Sequence, residues 1–267
     1  MKKNLLLTLF AALPFTAWAG NDGDNDDFGA WMELSAKKDL PHDLSVGVEG
    51  ELRMHDNSST VDRWSLGANL GYKVNKYLKV GVGYQILDDY TSDKISKEER
   101  DVTTGELMAY RYTPSYWTPR HRFYTEAVGS IKLWKWLRIS VRERYQFTHK
   151  TEKTITGRYD TEAPDWERDP VKDKFNECKS RQVLRSRIKL QLDKKHLDWS
   201  PFVAVEFHNN VAVGEYMSFD KLRTSVGTEY KINKQNDVSL SYVMTLDRTA
   251  HPYQTMHAIC ASYSYDF

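Results

Sequence analysis

The chain has 267 residues, with 38 lysines and arginines against 37 aspartates and glutamates and a formal net charge of +1. That balance excludes the basic excess a nucleic-acid binder needs. Aromatic residues make up 13% and charged residues 28%, and past the N-terminus no apolar run reaches the roughly 20 residues of a membrane helix.

The chain opens on Lys2 and Lys3, a mostly apolar stretch over 5–15, and Ala17-Trp18-Ala19. This is the layout of a secretory signal peptide over 1–19, cut after Ala19. No cysteine follows the cut, which argues against a lipoprotein anchor. An acidic linker is expected over 20–27 and the folded body over 28–267. Asp22, Asp24 and Asp26, with Glu33 further on, are spaced loosely like a calcium loop. Asp27 stands where such a loop needs glycine, so the stretch reads as a solvated linker.

From Phe28 onward, apolar and polar residues alternate with period two, the mark of two-faced strands. In chain order the expected strands are 28–37, 44–54, 64–74, 78–86, 123–133, 137–147, 184–192, 203–207, 222–232, 238–246 and 259–267. Most approach 10 residues, the length of a tilted strand that crosses a membrane. The links alternate too. Short ones are expected at 39–43, 75–77, 135, 193–198 and 233–236, and longer ones at 56–62, 89–119, 150–179, 209–220 and 247–254. Short turns on one rim and long loops on the other define an outer-membrane barrel.

Aromatics gather at the expected strand ends. Tyr77, Trp134, Trp136, Trp199 and Tyr230 flank short turns, and Trp64, Phe123, Phe147 and Phe207 face long loops. Two such girdles match the two interfaces of a bilayer. Tyr263, Tyr265 and Phe267 share a face of the last strand, and a terminal aromatic there resembles the signal read by the outer-membrane assembly machinery. The expected fold is an all-β, transmembrane, antiparallel up-and-down barrel. Eleven segments are counted, but bacterial barrels normally have an even number. The expectation is therefore twelve strands (range 10–12), with one hidden in 89–119 or the N-terminal segment threading the lumen. A soluble sandwich or lipocalin-like barrel also alternates, but gives the girdles and terminal aromatic no role.

If the apolar face meets lipid, the other lines the lumen. On it fall Glu33, Glu49, Glu51, Glu126, Glu206 and Glu229, with Arg53, Arg122, Arg138, Arg142, Arg144, Arg185, Arg187, Lys189 and Arg223. Strands 137–147 and 184–192 would set two arginine rows side by side, tolerable only with carboxylates or an anion between them. Two readings follow: a lumen plugged by ion pairs, or an anion-favouring channel or pocket for a small anionic solute. Strict alternation puts Glu143 on the lipid face, where charge is costly, so a bulge or register shift is expected near it. The loop over 89–119 carries Tyr110, Tyr112, Tyr116 and Trp117, suited to binding a sugar or folding inward.

No nucleophile elbow, zinc, phosphate-loop or Cys-x-x-Cys motif occurs, and no cofactor or metal is called for. His149, His208, His251 and His257, with Ser218, fall near the outer strand ends without forming a known catalytic signature, so the expectation is not an enzyme. Cys178 and Cys260 are the two cysteines, and spacing alone does not pair them.

Several segments together resemble one family. They are Asp27-Phe28-x-x-Trp31, 47–53 (Gly-Val-Glu-Gly-Glu-Leu-Arg), 78–84 (Leu-Lys-Val-Gly-Val-Gly-Tyr), Arg120-His121-Arg122 and Leu184-Arg185-Ser186-Arg187. Ser200-Pro201-Phe202, Lys221-Leu222-Arg223 and Ser262-Tyr263-Ser264-Tyr265 complete the set. The chain thereby resembles domain of unknown function 2490, a family of uncharacterised outer-membrane barrels of Gram-negative bacteria. The resemblance spans nearly all of the mature chain. It implies a membrane barrel and assigns no catalytic residues. Two roles stand open: a small channel, or a binding or structural barrel for an envelope partner or ligand. A lipid hydrolase is a third.

Overall fold

The computed structural model describes residues 26–100, 103–105, 107–155, 159–162, 169–170, 174–194, 197–212, 214, 216–249 and 254–267. The segment 1–19 expected to be a signal peptide, nearly all of the expected acidic linker and His251 lie outside them. Among the described residues, eleven strands close a barrel. They are β1 (Asp26–Asp39), β2 (Leu44–His55), β3 (Thr60–Lys73), β4 (Leu78–Thr91), β5 (Tyr116–Leu133) and β6 (Leu137–Lys150). β7 (Lys179–Leu192), β8 (Trp199–Asn210), β9 (Ser218–Lys231), β10 (Asn236–Asp247) and β11 (Gln254–Asp266) follow.

Each strand pairs antiparallel with the next in the chain, and β1 closes the ring by pairing parallel with β11, from Asp26 opposite Thr255 to Lys37 opposite Asp266. The count is eleven, inside the expected range of 10–12 and one short of its central value. An odd number of up-and-down strands brings first and last into the ring pointing the same way, so one parallel seam is unavoidable. The segment 89–119 does hold two more strands, Lys94–Arg100 and Leu107–Thr113. They pair with each other, and Leu107–Thr113 pairs in turn with Tyr159–Glu162, in a separate four-stranded sheet outside the barrel. The N-terminal strand is a wall strand and does not thread the lumen.

Alternation determines which face is which. Leu34, Val48, Leu66, Val82, Phe123 and Leu240 point outward and are each more than half exposed. On a soluble protein this area would be a large uncovered apolar patch. The polar residues between them point inward. Outward aromatics band the two rims. Trp134 stacks on Trp136 and Trp199 packs tilted against Tyr230 at the short-turn rim, and Tyr84 packs on Phe123 towards the loop rim.

The link at 56–59 is a tight turn, shorter than expected. Asp56, Asn57 and Ser58 adopt positive φ, a region Asn and Asp tolerate. The Asp27 carboxylate accepts the backbone N–H of Asp56 and Asn57 at 3.1 and 3.3 Å. Asp27 is therefore a turn clamp at the start of β1, not linker.

No register shift occurs in β5–β6 or β6–β7, so the bulge expected near Glu143 is absent. Glu143 does point outward, and Ser186 Oγ donates to its carboxylate at 2.6 Å. A shift there would have turned Arg142 or Arg144 out of the lumen, where both hold carboxylates. Cys178 is exposed in a loop, Cys260 is buried on the inner face of β11, and neither is disulfide-bonded.

Candidate functional site: the charged lumen

The lumen holds a cavity of about 430 Å³ lined by residues from both halves of the barrel. One water needs only about 10–15 Å³. Thirteen of the fifteen charged residues expected inside line it, eight cationic and five carboxylate. The remaining two stand apart. Glu126 points inward but is covered by its partner Arg144, and Arg138 sits at the short-turn rim on Asp193.

The expected arginine rows form. Arg144 lies directly opposite Arg185, and Arg142 opposite Arg187, across β6 and β7. Cross-strand neighbours sit about 5 Å apart, so these cations need counter-charge. Glu206 of β8 supplies most of it. It accepts Arg142 at 2.5 Å, the Nε and Nη2 of Arg185 at 2.9 and 2.5 Å, and is within 2.8 Å of His208 Nε2. Its own register neighbours are Arg187 and Arg223, yet neither is an ion-pair partner. Its oxygens are taken by the diagonal arginines.

A second network spans the lumen. Glu126 accepts Arg144 at 2.9 and 2.6 Å, and the Arg144 guanidinium stacks 4.2 Å from the Tyr124 ring. Tyr124 donates to Glu49 at 3.2 Å, Gln85 donates to Glu49 at 2.7 Å, and Arg122 donates to Gln85 and Thr148. The glycines of β3 and β4 make room for it. A Cβ at Gly83 would collide with the Tyr124 ring, and one at Gly67 with Gln85.

A third group centres on Trp31. Arg53 and Arg223 lie over its ring at 4.2 and 4.8 Å, and Arg53 also pairs with Glu51 at 2.7 Å. Lower down, Lys189 and Gln191 both donate to Glu229. At the short-turn rim Asp193 takes Lys132 and Arg138. Partial burial pushes its carboxyl up, but the Lys132 hydrogen bond and the charges of Arg138 and Lys132 win, holding it below the usual carboxylate range.

Among the described residues, Arg122, Arg187 and Arg223 line the cavity without a carboxylate partner. Trp31, Tyr124, Gln85 and His208 are lumen residues that charge counting missed, although all share the parity of the charged positions. The histidines weighed for catalysis disperse. His149 lies 3.1 Å from Ser180 on the outer wall, His257 contacts Tyr242, and Ser218 donates to Asp220. No acid completes the His149–Ser180 pair among the described residues. No cluster of three metal-ligating side chains occurs among them either.

An apolar outside and an ion-paired inside define the molecule as a closed β-barrel with a charged lumen. The chain belongs to the family described as protein of unknown function DUF2490, whose model matches residues 28–256. A solved structure, the β domain of the Bordetella autotransporter Brka, is similar with TM-score 0.45 and 10% identity, over 84% of this chain and 82% of that one. No curated protein matches.

Proposed function

We propose that this barrel sits in the outer membrane of a Gram-negative cell and acts as a narrow permeability path that favours small anions. Its signal peptide directs export, the bilayer covers the apolar wall, and the terminal aromatic strand is offered to the assembly machinery. The reading rests on one observation: the lumen cavity carries eight cationic side chains against five carboxylates. Rings of basic residues select anions in pores because ions entering a low-dielectric bore leave their water and need counter-charge. No catalytic role is proposed.

Planar bilayers test it. Purified, folded protein should give stable conductance steps in potassium chloride, and under a salt gradient the reversal potential should have the sign of chloride selectivity. Neutralising Arg187 and Arg223 together should shift that potential towards zero. A correctly folded barrel that stays silent would favour the second reading, a structural or ligand-binding barrel. The saturated Glu206 cluster supports that alternative, because ion pairs across a small lumen fill it.

A further inference from the structure

The arginines of the lumen are not equally satisfied, and the imbalance lies at one place. Arg142, Arg144, Arg185 and Arg187 form a block on β6 and β7. Two carboxylates serve it, Glu206 and Glu126, and they engage Arg142, Arg185 and Arg144. Arg187 receives none. It has no hydrogen bond or ion pair among the described residues, and it lines the cavity. Directly opposite, the buried Nε of Arg142 has no acceptor either. Arg223 flanks the same carboxylate from the other side, bonded to Thr245 and not to an acid.

We infer that Arg142 and Arg187 form a binding site for a compact, multiply charged oxyanion of the phosphate type. A planar guanidinium presents paired N–H donors that match two oxygens of one phosphate. Arg187 presents such a fork whole, and Arg142, whose Nη2 is held by Glu206, adds its open Nε–H from the strand about 5 Å away. A phosphate supplies enough oxygens for both and the negative charge the block lacks. Chloride offers a single spherical acceptor and spans these donors poorly. Preference for an oxyanion over a halide therefore follows from the shape of the donors, not only from their charge. The inference deepens the permeability reading by naming a ligand class, and it rests on that reading only in that a solute must reach the lumen.

The test is equilibrium binding, so that it does not depend on conduction. The full barrel in detergent micelles is titrated with inorganic phosphate, or with potassium chloride at matched ionic strength, and its thermal unfolding is followed. Phosphate should raise the midpoint in a saturable way and chloride should not. R187Q should weaken the phosphate response by roughly tenfold or more, the loss expected for one charge-assisted bidentate contact. R187K keeps the charge without the fork and should fall between. R138Q, outside the cavity, should respond as the parent does. Glycerol phosphate acting as strongly as phosphate would assign the site to phosphorylated solutes, and phosphate acting alone would assign it to the free ion. Equal responses to phosphate and chloride, or an R187Q barrel that responds unchanged, would overturn the inference. Conductance together with no phosphate-selective rise of the midpoint removes this site and leaves the channel. Phosphate binding to a silent barrel removes the channel and leaves the site.

Discussion

The inner face of β5–β9 and that of β10, β11 and β1 are built on opposite plans. The first carries Arg122, Arg142, Arg144, Arg185, Arg187, Lys189, Glu206 and Arg223, long side chains of which Arg142, Arg144, Arg185 and Lys189 are held by ion pairs. The second is nearly neutral and mostly small. Its Val243, Ala258 and Cys260 pack with Trp31 and Met256 into a modest apolar cluster, with Ser239 and Ser262 bonded to each other at 2.7 Å. The two plans need each other. Short residues on one wall leave the volume that long ones from the other occupy, as Arg223 shows by reaching the Trp31 ring. A lumen with arginines all round would be overfilled and unscreened. One with serine and alanine all round would be an open pipe.

The contrast is broken most severely at Glu206. Its side chain is 4% exposed and holds Arg142 and Arg185. E206Q leaves both cations buried without their shared counter-charge, and removing one partner of a buried pair costs about 3–5 kcal/mol. Urea unfolding in lipid vesicles should show a loss of that size, and a loss below about 1 kcal/mol would mean water screens the block. The quiet wall is probed at Trp31. W31L keeps apolar volume but removes the surface under two guanidinium groups, and at about 0.5–2 kcal/mol for each cation–π contact the same assay should report about 1–4 kcal/mol.

The smallest effect lies outside the lumen, at Asp193. Its pKa is lowered in the folded state by Lys132 and Arg138 against the opposing effect of burial. A depressed carboxyl contributes stability that is complete above its unfolded value, about 3.9, and lost as pH falls through the folded value. The stability difference between the parent and D193N should therefore be constant above about pH 5 and vanish in stronger acid. Partly exposed pairs contribute only about 0–1 kcal/mol. A difference that grew on acidification would contradict the assignment.

The fold was readable because alternation and turn spacing are local. Positions such as Val46, Val48, Arg185 and Arg187 declare their faces without knowledge of any partner. All eleven expected segments became wall strands, with ends misjudged where polarity rises, as at Tyr116 in β5 and Trp199 in β8. The count of twelve came from a parity rule, and only the closure of β1 on β11 could replace it. Thirteen of the fifteen expected lumen charges line the cavity for the same local reason. Who pairs with whom was not readable. Register makes Arg187 and Arg223 the neighbours of Glu206, while arginine length lets Arg142 and Arg185 take it from the diagonal. Glu143 misled because the rule against charge in lipid took no account of Ser186, one strand away.

The parallel join between β1 and β11 has a mechanical consequence. Parallel ladders are slightly less stable per residue than antiparallel ones, and this one unites segments separated by nearly the whole chain, the slowest kind of contact to form. It is therefore the last stitch when the cylinder is sewn shut, and the first place a sideways tear would start.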